Sequence, residues 1–147
     1  MRSPAPPSVV ITAEHPTLAE VLGLYESVGW SAYTEEPGEL ERALAGSTRV
    51  VIARRGSQLV GLARVLSDGA TIAYLQDVLV RPDAHRSGIG RRLVEAAFAP
   101  FARVRQHVLL TDAEPGQRSF YGSLGFVEAH DHRAQLRSFV RFQLRPE

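Results

Sequence analysis

Cysteine, lysine and asparagine are all missing from this 147-residue chain, and tryptophan and methionine each occur once. Without Cys there is no disulfide, no thiolate nucleophile and no cysteine metal site. Without Lys, all 17 basic residues are Arg. The two strongest candidates for a covalent acyl or imine intermediate are thus absent, which leaves hydroxyl, imidazole and carboxylate nucleophiles and favours direct transfer between bound substrates. The Arg- and Ala-rich usage also fits a biased genome composition. A net charge of +1 gives no field for nucleic acid, although arginines cluster locally. Residues 1–8 begin with MRSPAPP and carry no apolar run, so they read as a frayed tail rather than a signal peptide or membrane anchor. Residues 9–147 are expected to form a single domain, with cytoplasm as the default compartment.

Val9–Thr12 reads as a short strand, and Thr17 with Glu20 as a capping box. Leu18, Val21, Leu22 and Tyr25 share a helical face that ends near Gly29. Trp30–Glu36 is expected as a loop, and Gly38–Ala45 as a helix with Leu40, Ala43 and Leu44 inward. Arg49–Arg54, Leu59–Leu66 and Thr71–Val80, separated by Arg-Gly-Ser and Ser-Asp-Gly turns, predict an antiparallel meander. Ile89, Leu93, Val94, Ala97, Phe98 and Phe101 then repeat at helical spacing. His107–Thr111 follows as a strand parallel to Thr71–Val80, because a helix crosses between them. A helix from about Pro115 to Leu124 and a final strand pair, Phe126–Ala129 and Ser138–Leu144, complete the pattern.

Gly88 and Gly90 stand just where the long helix begins. A helix start carries unpaired N–H groups and about half a positive charge, so glycines that let a ligand approach it make an anion site. Several phosphates fit this spacing. The pair is half of G-x-G-x-x-G, but Leu93 takes the third position and Arg81–Ser87 separate the strand from the glycines. A dinucleotide-binding oxidoreductase stays open only because Asp112 lies where a ribose ligand would. No Gly-Lys-Ser/Thr exists, which excludes a Walker loop. His130-x-His132 is the one close histidine pair and has no third ligand in sequence, so no metal is expected. Ser119 and Ser123 lack a nucleophile elbow.

His85-Arg86-Ser87-Gly88-Ile89-Gly90 after the long strand, with Phe120-Tyr121-Gly122-Ser123-Leu124-Gly125-Phe126 near the end, resembles the GNAT superfamily of N-acetyltransferases. The likeness spans about Val9 to Leu144. It implies an α/β fold of the α+β type: a central, mostly antiparallel, V-splayed sheet flanked by helices. It also implies acetyl-CoA as cosubstrate, with Val78, Leu79 and Val80 flanking the pantetheine and His85, Arg86, Ser87, Gly88, Ile89 and Gly90 holding the pyrophosphate. His85 departs from the usual Gln or Arg. Glu114 departs from an Asn common in the family, and reads instead as a stabilising charge at a helix start.

The implied activity is acetyl transfer to a primary amine in a ternary complex. Such a reaction needs a neutral amine, a donor to the thioester oxygen and a proton for the departing thiolate. The resemblance puts the Tyr121 hydroxyl near the sulfur as general acid. A backbone N–H near Val78 is suited to the thioester carbonyl. Some family members carry a basic Glu where Tyr74 stands here. Deprotonation then falls to water, to Asp77, or to another loop carboxylate, and Asp77 reads equally as a hydrogen-bonded structural residue. By alternation, Tyr74, Gln76 and Val78 share one strand face, while Leu75, Asp77 and Leu79 share the other. Trp30, Tyr33 and Tyr74 are candidates to line the acceptor pocket, and Glu26, Glu35, Glu36 and Asp68 would suit a cationic amine. The expected partner is a small-molecule or peptide amine, not nucleic acid or membrane, and the resemblance is compatible with a homodimer. A module that binds acyl-CoA without turnover is the alternative.

Overall fold

The computed structural model describes residues 8–143. The expected N-terminal tail lies outside them apart from Ser8, as does Leu144. The chain divides after Leu110 into two compact units.

The first unit is a five-stranded sheet in the order β1 (Val9–Thr12), β2 (Arg49–Arg55), β3 (Gln58–Ser67), β4 (Ile72–Val80), β5 (Gln106–Leu109). All neighbours are antiparallel except β4 and β5, which a helical crossover makes parallel. That parallel ladder runs only from Ile72↔Gln106 to Leu75↔Leu109, while β4 continues to Val80. The two strands therefore part company halfway along β4.

Helix α1 (Leu18–Ser27) starts at the predicted capping box: Glu20 N–H donates to Thr17 Oγ1 at 3.3 Å and Thr17 N–H donates to Glu20 Oε2 at 3.1 Å. Glu20 also takes a two-pronged bond from Arg54 of β2, at 2.9 and 3.1 Å, which ties the helix start to the sheet. Trp30–Glu36 is not simply a loop. Ser31–Thr34 coils into a short helix, α2, because Glu35 N–H reaches back to Ser31 O at 2.9 Å. Helix α3 (Pro37–Ala45) buries Leu40 and Leu44, whereas Ala43 is half-buried. These helices cover one sheet face, where Val21, Leu24, Tyr25, Leu40 and Leu44 pack with Val50, Ile52, Leu62 and Leu79.

Helix α4 (Ile89–Phe98) packs against strands β2, β3 and β4 and buries Ile89, Leu93, Val94, Ala97 and Phe98, as the spacing predicts. Gly61 makes room for it: a Cβ there would stand 2.8 Å from Leu93 Cδ1 and 3.2 Å from Leu79 O.

The face assignment of β4 needs correction. Arg64 pairs with Asp77 but Val65 pairs with Leu75, so Gln76 is an extra residue, a β-bulge. Residues directly opposite each other project to the same side. Leu75 therefore shares the face of Val65, and Asp77 shares that of Arg64. Tyr74, opposite Leu66, comes to the Asp77 face. The alternation expected for Tyr74 and Leu75 is reversed relative to Asp77.

The second unit contains α5 (Pro115–Ser123) and a 3-10 turn, Ala129–Asp131. The expected strand pair is absent among the described residues. After Gly125 (φ 93°) the chain turns, and Arg118 bonds Glu128 and Asp131 at 3.0 and 3.1 Å, holding that stretch to α5 as a turn. Residues 138–143 form no strand among the described residues, and Phe139 and Phe142 are 92% and 81% exposed. Alternation alone does not make a strand without a partner edge.

Candidate active site

The free end of β4 offers backbone groups to the outside. Arg81 N–H donates to Val60 O on β3 at 2.8 Å. No peptide bond is cis, so the Val80 carbonyl on the other side of that peptide points away from β3. With a period of two, the N–H and C=O of Val78 share its direction, toward the edge that β5 has left. The Val80 carbonyl is taken by His85, whose Nε2–H donates to it at 2.9 Å.

Beyond His85 the backbone enters the left-handed region at Arg86 (φ 65°) and again at Gly88 (φ 77°). Ser87 Oγ donates to Ala84 O at 2.6 Å and steadies the turn between them. Gly88 then precedes α4 with no side-chain cap on the helix, and a Cβ at Gly88 would meet nothing within 4 Å. The N–H groups at Ile89 and Gly90 thus begin a helix whose start is open. An anion with oxygen acceptors fits there, and the helix dipole favours it. Arg86, Arg91 and Arg92 surround this start and are exposed; Arg92 bonds Val9 O at 3.0 Å and Arg91 lies 3.7 Å from Glu95.

On the opposite face Asp77 is the centre of a buried polar cluster. Its side chain is 4% exposed and its ion-pair partner Arg64 7%. Arg64 Nε donates to Asp77 Oδ2 at 2.8 Å, Tyr25 hydroxyl to the same oxygen at 2.9 Å, and Tyr33 hydroxyl to Oδ1 at 3.0 Å. Burial first, then the negative charge of Asp77, pushes both phenols above their ordinary range, so they remain donors. Tyr74 is raised in the same way and for the same two reasons. Both carboxylate oxygens are thus engaged by protein donors, and little of the side chain is exposed.

The ring of Tyr33 lies 5.0 Å from that of Tyr25 and 6.0 Å from that of Trp30. Beside it a cavity of about 210 Å³ is lined by Ala32, Tyr33, Glu36, Glu39, Leu40, Ala43 and Arg64. Trp30, Tyr33 and Tyr74 therefore stand on the Asp77 side of the sheet, and two acids line the hollow. Glu26 and Glu35 are exposed, and Asp68 does not belong to this cavity: it closes the β3–β4 turn by accepting the N–H groups of Ala70, Thr71 and Ile72.

Two members of the cluster escaped the sequence reading. Arg64 carried a visible signal, a lone charge inside the apolar run Leu59–Leu66, which demands a buried partner. Tyr25 was legible only as a core residue.

In the second unit Tyr121 is half-buried, with its ring 4.9 Å from Phe120 and 6.0 Å from Phe126. Burial, and then the charge of Asp112, raises its phenol above the ordinary value. Glu114 precedes Pro115 at the start of α5, as expected. Glu128, His130 and Asp131 bring ligand atoms within 4.8 Å of one another, but all are exposed and Arg118 already bridges the two acids. No helix among the described residues is long and apolar enough to cross a membrane.

Comparison with known proteins agrees with this geometry. The family model described as an acetyltransferase (GNAT) domain matches residues 25–143. The uncharacterized N-acetyltransferase ycf52 of Pyropia yezoensis is 29% identical over 119 residues, 78% of this chain and 67% of that one. A GNAT family acetyltransferase from Streptococcus pneumoniae TIGR4 superposes with a TM-score of 0.82 at 30% identity, covering 92% of this chain and 98% of that one. The structure of AAC(6')-Iy, in complex with the bisubstrate analog CoA-S-monomethyl-acetylneamine, shares the fold at 17% identity and a TM-score of 0.65, over 95% of this chain and 99% of that one.

Proposed function

This chain belongs to the GNAT superfamily of N-acetyltransferases, and from that premise we propose that it moves an acetyl group from acetyl-CoA directly onto a primary amine in a ternary complex. The observation that carries this reading is the open end of β4 leading to an uncapped helix start at Gly88.

Acetyl-CoA supplies the acyl group as a thioester. In this reading the N–H groups of Ile89 and Gly90 hold its pyrophosphate, helped by the backbone of His85, Arg86 and Ser87 and by the left-handed turn at Gly88. Val78 and Val80, with Leu79 between them, flank the pantetheine through their outward edge. The Val78 N–H polarises the thioester carbonyl, a contact that contributes on the order of 3 kcal/mol by analogy with oxyanion-hole donors. Tyr121 donates a proton to the departing thiolate, and its raised phenol is protonated at neutral pH.

The acceptor enters beside Tyr33, where Glu36 and Glu39 line the cavity and suit a small or peptide amine with positive charge; Trp30 and Tyr74 do not line that cavity and border the acceptor's path from the same face of the sheet. The amine's proton leaves through water at the cavity mouth, and Asp77 keeps the structural role rather than that of general base. A cytoplasmic enzyme, with the homodimer that the family resemblance allows, completes the reading.

Thiol release from acetyl-CoA with a panel of amines tests it. Wild type turns over at least one amine, and Tyr121→Phe lowers kcat by about 100-fold or more, the scale of a lost general acid, with unchanged CoA affinity. CoA binding without turnover across the panel overturns the proposal in favour of an acyl-CoA sensor, and failure to bind CoA overturns both.

A further inference from the structure

Helix α2 has little of its own to hold it. It is four residues long, buries none of them completely, and has no side-chain cap at Trp30. Its two residues Ala32 and Tyr33 nevertheless form one wall of the cavity, with α3 opposite and Arg64 behind. The Tyr33 hydroxyl ties this wall to the sheet: it donates to Asp77 Oδ1 at 3.0 Å and also interacts with the side chains of Gln76 and Arg64. Asp77 is itself immobilised from two other elements: Arg64 of β3 at 2.8 Å and Tyr25 of α1 at 2.9 Å. The bulge at Gln76 turns this part of β4, so that Asp77 and Tyr74 both look toward the helices that line the cavity.

We propose that Asp77 is a positioning residue for the amine acceptor: through Tyr33 it sets the α2 wall of the cavity, and so governs which amines fit, without handling a proton of the reaction. This rests on the acetyltransferase reading for its kinetics, but the placement of α2 is open to a separate optical test. Trp30, the single tryptophan of the chain, lies 6.0 Å from the Tyr33 ring and 5.8 Å from that of Tyr25. Its emission reports directly on where α2 sits.

The experiment uses the full chain as wild type, Asp77→Ala, Tyr33→Phe and the double variant, with circular dichroism confirming that each is folded. Acrylamide quenching of Trp30 is expected to rise in both single variants and to rise no further in the double. With an amine accepted by the wild type, KM for that amine rises about 10-fold, the scale of one lost hydrogen bond to a charged group, while KM for acetyl-CoA and the pH profile of kcat stay unchanged. In quenching and amine KM the double variant matches the worse single, because the Tyr33–Asp77 bond is the contact common to both substitutions, while the loss of the Arg64 and Tyr25 bonds is carried by the Asp77 substitution alone and is read in stability.

A fall in kcat of about 100-fold for Asp77→Ala with unchanged amine KM, and loss of the acidic limb of the pH profile, makes Asp77 the general base and overturns the proposal. So do additive effects of the two substitutions. Should Asp77→Ala fail to fold, Tyr33→Phe alone still decides: unchanged quenching and unchanged amine KM refute it. If the wild type acetylates nothing, the acetyl-transfer reading fails, while the quenching series still determines whether Asp77 holds α2.

Discussion

Removing the carboxylate of Asp77 strands a guanidinium. In Asp77→Ala, Arg64 keeps its charge at a site where its side chain is 7% exposed, and the 2.8 Å partner is gone. Breaking a buried pair from one side costs about 3–5 kcal/mol, because the remaining charge stays desolvated. The hydroxyls of Tyr25 and Tyr33 also lose their acceptor. Tyr33 is half-buried and can turn to water, so Tyr25 carries most of that added loss, about 1–3 kcal/mol, which overlaps with the ion-pair term rather than adding to it fully. A loss near 4 kcal/mol is expected, against a total stability of about 5–15 kcal/mol for a native domain, so the variant folds but melts early. The informative partner is Arg64→Met with Asp77→Leu. It removes both charges and is expected to be more stable than Asp77→Ala alone, although it alters twice as many residues. Urea unfolding of wild type, both singles and the double, compared at equal m, measures the coupling. A cost for Asp77→Ala below about 1 kcal/mol, or a double variant that loses the sum of the singles, refutes the claim that these charges are desolvated and paired.

The helix start at Gly88 gives a second expectation. Gly88→Ala forces a side chain into φ 77°, at a cost of about 1–2 kcal/mol, while a Cβ there meets no atom within 4 Å. Urea unfolding reads the strain; CoA titration reads a weaker affinity, and an unchanged dissociation constant means that this turn does not hold the phosphates. A third concerns pH. The hydrogen bond from Arg54, followed by that from Thr17 N–H, lowers Glu20 from 4.5 to about 2. A lowered carboxylate stabilises the fold above its unfolded value, and that stability is lost as pH falls through the range down to about 2. Between about pH 6 and pH 3 the urea midpoint of the wild type should therefore fall further than that of Glu20→Gln, and equal falls count against the Arg54 link.

How much of this arrangement the sequence discloses depends on whether the signal is local. Capping at Thr17 and Glu20, the turn at Asp68-Gly69 and the periodicity of Ile89–Phe98 are decided within a few residues, and the structure has them where the pattern puts them. The glycine loop is local too, which is why the open helix start at Gly88 is legible from the sequence. The proposed acceptor end is assembled from α1, α2, α3, β3 and β4, and its key feature is one extra residue. Counting by twos along β4 puts Tyr74 and Asp77 on opposite faces, and only the pairing with β3 reveals that Gln76 breaks the count. The same limit applies to residues 138–143: Val140 and Phe142 alternate as a strand should, but β-structure is a property of two edges, and alternation within one segment does not supply the second. Arg64 marks the boundary between the two cases. Its burial could have been argued from the apolar residues around it, yet which acid answers it depends on a register that lies outside either strand's own sequence.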